Sequence, residues 1–311
     1  MVRNEEKRPR IGLALSGGAA RGLAHVGVLR ALAEHNLPID CIAGTSAGAL
    51  VAGTLASGMA LSEIESIGRS LRWRDMGRMT MSRMGVQSNE RLEKYLRERL
   101  PVTRFEELPI PFAAVATDLQ SGKGVILQGE GDVPFAIRAS CAIPGWYVPV
   151  TDEHGRQLVD GGLVANIPSD VARSMGADVV IAVDVNSEGA AFLGPSLSMI
   201  SAVLQSMMLV QRTASLYQLA AADVVIKPRV GHIRWDEMRR AQELIAAGYE
   251  AGVESIPEIE TVIAAATKVA NKWFQLRRRK EIPAKRPITS RMYPHGTASG
   301  RRPCKTKKGL R

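Results

Sequence analysis

Residues 41–48, CIAGTSAG, hold one serine between two glycines after a short apolar run. In Gly44-Thr45-Ser46-Ala47-Gly48 the residues before Ser46 read as a strand and those after it as a helix. A sharp strand-to-helix turn brings backbone segments close together, and a side chain at either glycine would obstruct it. The turn sets the Ser46 hydroxyl at a helix N-terminus, where free N–H groups and the helix dipole favour developing negative charge. This suits nucleophilic attack by a serine. A hydroxyl is a weak nucleophile at neutral pH, so a base and an oxyanion pocket must accompany it.

The pocket has a candidate in Ser16-Gly17-Gly18-Ala19-Ala20-Arg21-Gly22. Successive glycine amides at this strand-to-helix turn can point at one oxygen, and each such donor is typically worth about 3 kcal/mol of barrier. Gly18 and Ser46 are 28 residues apart, one βα unit, so the two turns can sit side by side. The glycine run matches neither G-x-G-x-x-G nor G-x-x-x-x-G-K-[ST], which argues against nucleotide binding. Two arrangements supply a base. Ser46, Asp184 and His232 stand in the chain order of a hydrolase triad. Alternatively Asp160, in VDGG with Gly161 and Gly162 permitting close approach, partners Ser46 directly. An exposed aspartate titrates near about 3.9, so the second arrangement needs a desolvated site or a mainly orienting role. His25, His35, His154 and His295 read as helix-face, loop or tail residues. No ligand cluster forms, and no metal or other cofactor is expected.

A β-α-β-α opening must position these groups: a strand over 11–18, a helix over 19–35, a strand at 41–45 and a helix over 46–57. Parallel strands joined this way cross over right-handedly and carry their sites at the strands' carboxyl ends. Residues 61–100 read as helical and charged. Met76, Met79, Met81 and Met84 within them are expected in the core, with a mobile flap against acyl chains as the alternative. Further strands are expected at 111–119, 124–128, 156–162, 179–185 and 224–228, and helices at 132–142 and after Pro168. A long helix near 196–222 reads as buried and amphipathic. Ser198, Ser201, Gln205, Gln211 and Arg212 make it too polar for an autonomous membrane span. Two terminal helices end near Leu276.

Composition is that of a soluble globular protein, 45% hydrophobic and 23% charged over 311 residues. Cys41, Cys141 and Cys304 have neither zinc-ligand spacing nor a disulfide framework, which points to a reducing cytosol. Residues 1–10 mix acids and bases and read as an extension rather than a signal peptide. The net charge of +10 is unevenly placed: residues 276–311 hold 13 Lys or Arg and one acid, against 28 bases and 30 acids elsewhere. This proline-bearing tail reads as disordered. It is either a solubilising extension or an attractor of anionic lipid headgroups, at about 1 kcal/mol per basic residue. Without an aromatic-interleaved basic groove, nucleic acid is not expected as a partner.

The blocks LSGGAARGLAHVGVL, GTSAGAL, ASCAIPGWYVPV and DGGLVANIP…GADVVIAVDV occur in order over residues 10–185. The set resembles the bacterial branch of the patatin-like phospholipase family. The resemblance implies a three-layer α/β/α sandwich around a mostly parallel sheet, placed here over residues 11–275, with the helices from 196 matched less specifically. It implies hydrolysis of phospholipid or lysophospholipid acyl esters by a Ser46–Asp160 dyad needing neither metal nor histidine. The oxyanion loop falls on Gly17, Gly18 and Ala19, with Arg21 as its basic residue. Gly22, Gly44, Gly48, Gly161 and Gly162 then support the turns. The expected partner is a lipid or acyl-ester substrate, in a cytoplasmic protein touching the inner membrane face through residues 276–311. A second reading is a regulatory or adaptor protein that keeps the scaffold and docks through its tail. The oligomeric state is not legible.

Overall fold

The computed structural model describes residues 8–188 and 199–279. The chain opens with β1 (Ile11–Leu15), a 3-10 turn at Ala19–Leu23, α1 (Ala24–Glu34), β2 (Cys41–Thr45) and α2 (Ala47–Ala56). Then come α3 (Leu61–Ser70), α4 (Trp73–Met76), β3 (Arg78–Met79), β4 (Gly85–Ser88) and α5 (Glu90–Arg97). The middle of the chain contributes β5 (Phe112–Asp118), β6 (Gly124–Gln128), α6 (Val133–Ser140), β7 (Gly145–Tyr147), β8 (Val150–Thr151) and β9 (Gln157–Asp160). It ends with α7 (Ser169–Ser174), β10 (Val179–Val183), α8 (Met199–Gln218), β11 (Val224–Ile226) and α9 (Ala241–Arg279). Two units are separable, Met1–Lys272 and Trp273–Arg311. The basic tail lies outside the described residues from position 280 onward.

The main sheet is mixed and mostly parallel, with a hydrogen-bonded path β11-β10-β1-β2-β5-β9-β8 and β6 paired to β5 off that path. Its central strands are buried throughout, as strands between two helical layers must be, and successive side chains face opposite layers. Ile11, Leu13, Leu15, Ile42, Phe112, Val179, Ile181 and Val183 face one core, together with residues of α1, α2 and α9. Ala14, Cys41, Ala43, Ala113, Val180 and Ala182 face the other, against α7. The second set is small, which lets α7 and its following turn approach closely: a Cβ on Gly12 would lie 2.7 Å from that of Ala177. This is the expected α/β/α layering.

The register around β5 places the site. On β5, β6 pairs with residues 113–117, overlapping both the β2 pairing at 112–115 and the β9 pairing at 116–118. A strand has two edges, so β6 occupies one, while β2 and β9 share the other. β2 runs parallel to β5 and β9 antiparallel, so they meet end to end. Thr45 opposes Val115 and Asp160 opposes the next residue, Ala116.

Four expectations require correction. Residues 61–100 are not uniformly helical, because β3 and β4 form a small sheet with β7. Of the four methionines only Met76 is in the core; Met79, Met81 and Met84 are 70%, 102% and 47% exposed. Their segment pairs along its backbone, and its side chains have no second layer to pack against. The apolar helix near 196–222 is not simply buried. Leu204 and Ser215 of α8 are, but Val203, Val210, Leu216 and Tyr217 face solvent. The two terminal helices are one, α9, which continues through Pro257. The proline removes the bond to the carbonyl of Val253, a residue exposed enough for water to replace it.

Candidate active site

Ser46 sits between the end of β2 and the start of α2 with φ 54° and ψ −124°. A non-glycine residue in such a conformation costs on the order of 1–3 kcal/mol and persists only where its surroundings enforce it. The surroundings here are tight. A Cβ on Gly48 would overlap the Leu15 carbonyl, and one on Gly44 would crowd the first turn of α2. The Ser46 N–H donates to Ser140 Oγ at 2.8 Å, and that hydroxyl donates to the Val115 carbonyl at 2.6 Å. Ser140, at the end of α6, thus ties the turn after β2 to Val115 of β5, beside the point where the ends of β2 and β9 meet.

The Ser46 hydroxyl donates to Asp160 Oδ2 at 2.6 Å. The other carboxylate oxygen accepts the Gly162 N–H at 2.8 Å. The Asp160 backbone is held on both sides: its N–H donates to Ala142 and its carbonyl accepts from the Thr117 hydroxyl at 2.9 Å. A Cβ on Gly161 would overlap the Val115 carbonyl, so the turn closes only with glycine there. Burial raises the Asp160 carboxyl from 3.8 to about 6, with the Ser46 and Gly162 hydrogen bonds opposing the rise. The result is a desolvated carboxylate, more basic than an exposed one, in contact with a strained serine at a helix N-terminus.

The glycine loop lies beside this pair. Gly18 and Ala19 line a cavity together with Ser46, Asp160, Asn186 and Gln211. Their amides donate no hydrogen bond among the described residues. Gly17 differs: its N–H donates to the Asn166 carbonyl at 3.1 Å and its carbonyl accepts from Asn186 Nδ2 at 2.8 Å. Gly17 therefore fixes the loop, and Gly18 and Ala19 are the free donors. Arg21 is buried and stands behind the cavity wall, its Nη1 donating to Asn186 Oδ1 at 3.4 Å. Its Nε donates to the Ile233 carbonyl at 2.7 Å and Nη2 to Gly231 at 3.2 Å, stapling the loop to residues 231–233. Gly22 packs against Ala47 with no room for a Cβ.

The triad alternative is not assembled. His232 is exposed and bonds Glu243 at 2.8 Å, while Asp184 accepts the Asn186 N–H. His25 is buried beneath the loop, where Nε2 must carry the proton because it meets the Ser16 carbonyl at 2.8 Å. Desolvation lowers its pKa to about 4, so it is neutral. Sequence reasoning missed Ser140, Thr117, Asn166 and Gln211. Gln211 of α8 donates to Asn166 Oδ1 at 2.7 Å, linking that helix to the loop's anchor. Ser140 and Asn166 stand within ASCAIPG and VANIP, but nothing in their type marks a bridge between strand ends.

Comparison with known proteins agrees with this architecture. The family model for patatin-like phospholipase matches residues 13–173. An uncharacterized NTE family protein of Mycobacterium tuberculosis is 39% identical over 219 residues, 69% of this chain and 59% of the relative. Lysophospholipase NTE1 of Mycosarcoma maydis is 36% identical over 185 residues, 57% of this chain but 10% of that protein. The chain thus spans little more than half the length of the first relative and a small part of the second. Among solved structures, VipD from Legionella pneumophila gives a TM-score of 0.53 at 17% identity, over 81% of this chain and 67% of that one, a likeness of fold. Among the described residues no helix is long and apolar enough to cross a membrane. With the model match covering more than half of its residues, the chain belongs to the patatin-like phospholipase family.

Proposed function

We propose that this chain is a serine acyl hydrolase that cleaves carboxyl esters of phospholipids or lysophospholipids. The observation that carries the reading is the hydrogen bond from the Ser46 hydroxyl to a buried Asp160 carboxylate. Ser46 Oγ attacks the ester carbonyl carbon and its proton passes to Asp160 Oδ2. The carbonyl electron pair moves onto oxygen, where the Gly18 and Ala19 amides and the α2 N-terminus stabilise it. Collapse re-forms the carbonyl and expels the alcohol, which takes the proton from Asp160. Water then attacks the acyl-serine, again losing its proton to Asp160, and the released Ser46 recovers that proton.

Family membership supports this reading, as does a relative named for lysophospholipase activity. Substrate approach is served by exposed apolar residues beside the cavity, Leu163 and, on α8, Val203 and Val210. The basic segment 276–311 adds a peripheral electrostatic contact with anionic lipid, in a cytoplasmic protein. That contact should weaken in high salt, since exposed charges are screened over about 10 Å at 0.1 M.

The reading is tested by fatty-acid release from lysophosphatidylcholine and diacyl phosphatidylcholine, comparing wild type with Ser46→Ala. Release abolished by the substitution supports it. Wild type without activity on any carboxyl ester, or activity surviving the substitution, contradicts it.

A further inference from the structure

Residues 76–89, MGRMTMSRMGVQSN, contain four methionines, two arginines and no acid. Antiparallel pairing of Arg78 with Ser88 and of Met79 with Gln87 folds them into a hairpin. The Thr80 N–H extends the pairing by donating to the Val86 carbonyl at 3.2 Å. Met79, Met81 and Met84 are exposed at the tip, as are Arg78 and Arg83. Neighbouring exposed apolar side chains rimmed by polar ones mark an interaction surface. The two cations are also uncompensated. Arg97 pairs with Asp132 and Arg173 with Asp223, but the Arg78 and Arg83 guanidiniums have no partner among the described residues.

The stem of the hairpin is fixed to a wall of the candidate site. β4 runs parallel to β7, with Gly85 opposite Gly145 and Gln87 opposite Tyr147. The Val148 N–H donates to the Gln87 carbonyl at 2.9 Å. β7 directly follows Ile143 and Pro144, which line the cavity that holds Ser46. Its Trp146 meets Trp235, another lining residue, edge to face with ring centroids 6.4 Å apart. Met81 precedes Gly85 by four residues, so the tip stands at most roughly 13 Å of strand from this wall.

We propose that the β3–β4 hairpin docks on an anionic lipid bilayer. Its methionines enter the interface, Arg78 and Arg83 bind headgroup phosphates, and the Ser46 cavity is held beside the lipid surface. Charge selects the partner: two uncompensated guanidiniums, with no acid in the hairpin, match phosphate oxygens that a planar cation grips in pairs. Shape favours lipid over protein. The tip is a projection without a covering layer, which a protein partner would have to receive in a matching groove, whereas a fluid bilayer yields around it. Unbranched thioethers adapt to such an irregular apolar phase, with the cations left at headgroup level. The basic segment 276–311 offers chiefly charge, which salt screens; the methionines add an apolar contact, which it does not. The docking serves the acyl-hydrolase reading, but binding requires no turnover, so each can fail without the other.

The test sediments the full chain carrying Ser46→Ala, which leaves the lipid intact, with vesicles of phosphatidylcholine alone or mixed with phosphatidylglycerol. Salt is set at about 0.1 M and about 1 M. The mixed vesicles should bind the parent more tightly than phosphatidylcholine alone. Met79→Ser with Met81→Ser should weaken binding to the mixed vesicles at least about fivefold at both salt concentrations. Arg78→Gln with Arg83→Gln should weaken it at least about tenfold at low salt and little at high salt. All four side chains are exposed, and an unchanged thermal unfolding midpoint verifies that the variants fold. A parent that binds no vesicles overturns the proposal. So does binding by both double variants equal to that of the parent, which assigns attachment to the tail. A lipid-free dimer that Met79→Ser with Met81→Ser dissociates, without a change in vesicle binding, assigns the face to a second copy and overturns it as well. The Ser46 reading is decided apart from these outcomes, by wild-type turnover of lysophosphatidylcholine.

Discussion

The Ser46 hydroxyl and the Asp160 carboxylate meet at 2.6 Å although 114 residues separate them in sequence. They meet because β2 and β9 approach each other end to end along the same edge of β5, opposite its consecutive residues Val115 and Ala116. Parallel pairing delivers the serine from one direction and antiparallel pairing delivers the aspartate from the other. The sheet thereby fixes their separation without a mobile loop between them.

Acid should switch the reaction off through Asp160. The carboxylate must be ionised to accept the serine proton, and burial brings its pKa to about 6. The expected kcat/KM profile rises with pH through an acid limb near 6, tenfold per pH unit below it. A limb near the ordinary aspartate value, or none above pH 5, would contradict a carboxylate made more basic by burial.

The same burial should make Asp160 costly to the fold. Its folded pKa of about 6 exceeds the ordinary 3.8, so the contribution it makes below 3.8 is lost as pH rises through 6. At neutral pH the buried carboxylate costs about 3 kcal/mol. Asp160→Asn should therefore be more stable than wild type at pH 7.5, by up to about 3 kcal/mol, with no advantage below pH 4. His25 acts in the opposite sense. Its pKa falls from 6.5 to about 4 on folding, so its contribution is present above 6.5 and lost as pH falls toward 4. Asp160→Asn should uncover that slope, and urea unfolding between pH 4 and 8 would measure both effects. An Asn variant less stable at pH 7.5 would contradict the account.

Ser140 should matter more than a serine on a helix end ordinarily does. Its hydroxyl satisfies the Ser46 N–H and the Val115 carbonyl at once, and both are buried. Ser140→Ala leaves the two without partners, at a cost of about 2–4 kcal/mol in stability. The strained turn at Ser46 also loses its tether, so kcat should fall by about tenfold or more with KM little changed. Thermal unfolding and steady-state kinetics on one preparation check this. An unchanged kcat would show that the turn holds itself.

What the sequence made legible was local. Gly44, Ser46 and Gly48 are readable because a strand-to-helix elbow imposes its steric demand within five residues. The strands around it are readable because IGLAL and VVIAV are short, continuous apolar runs, buried throughout, as strands covered on both faces must be. Asp160 stood open against Asp184 and His232, since the choice depends on which strand ends meet, and end-to-end meeting is a matter of register across the sheet. The role of Gly17 was hidden for the same reason: its N–H is engaged by Asn166, a residue 149 positions away. The exposed methionines between Met79 and Met84 were misplaced because an apolar side chain in a short hairpin carries no sign of whether a layer covers it.

The measurement that bears most directly on the central claim is covalent labelling with a short-chain fluorophosphonate, the adduct being located by peptide mass spectrometry. Wild type should carry one adduct, on Ser46. Ser46→Ala should carry none, and Asp160→Asn should fold but label at least about a hundredfold more slowly, the scale of a lost general base. Labelling of Asp160→Asn at the wild-type rate, or an adduct on a residue other than Ser46, would contradict a nucleophile activated by Asp160.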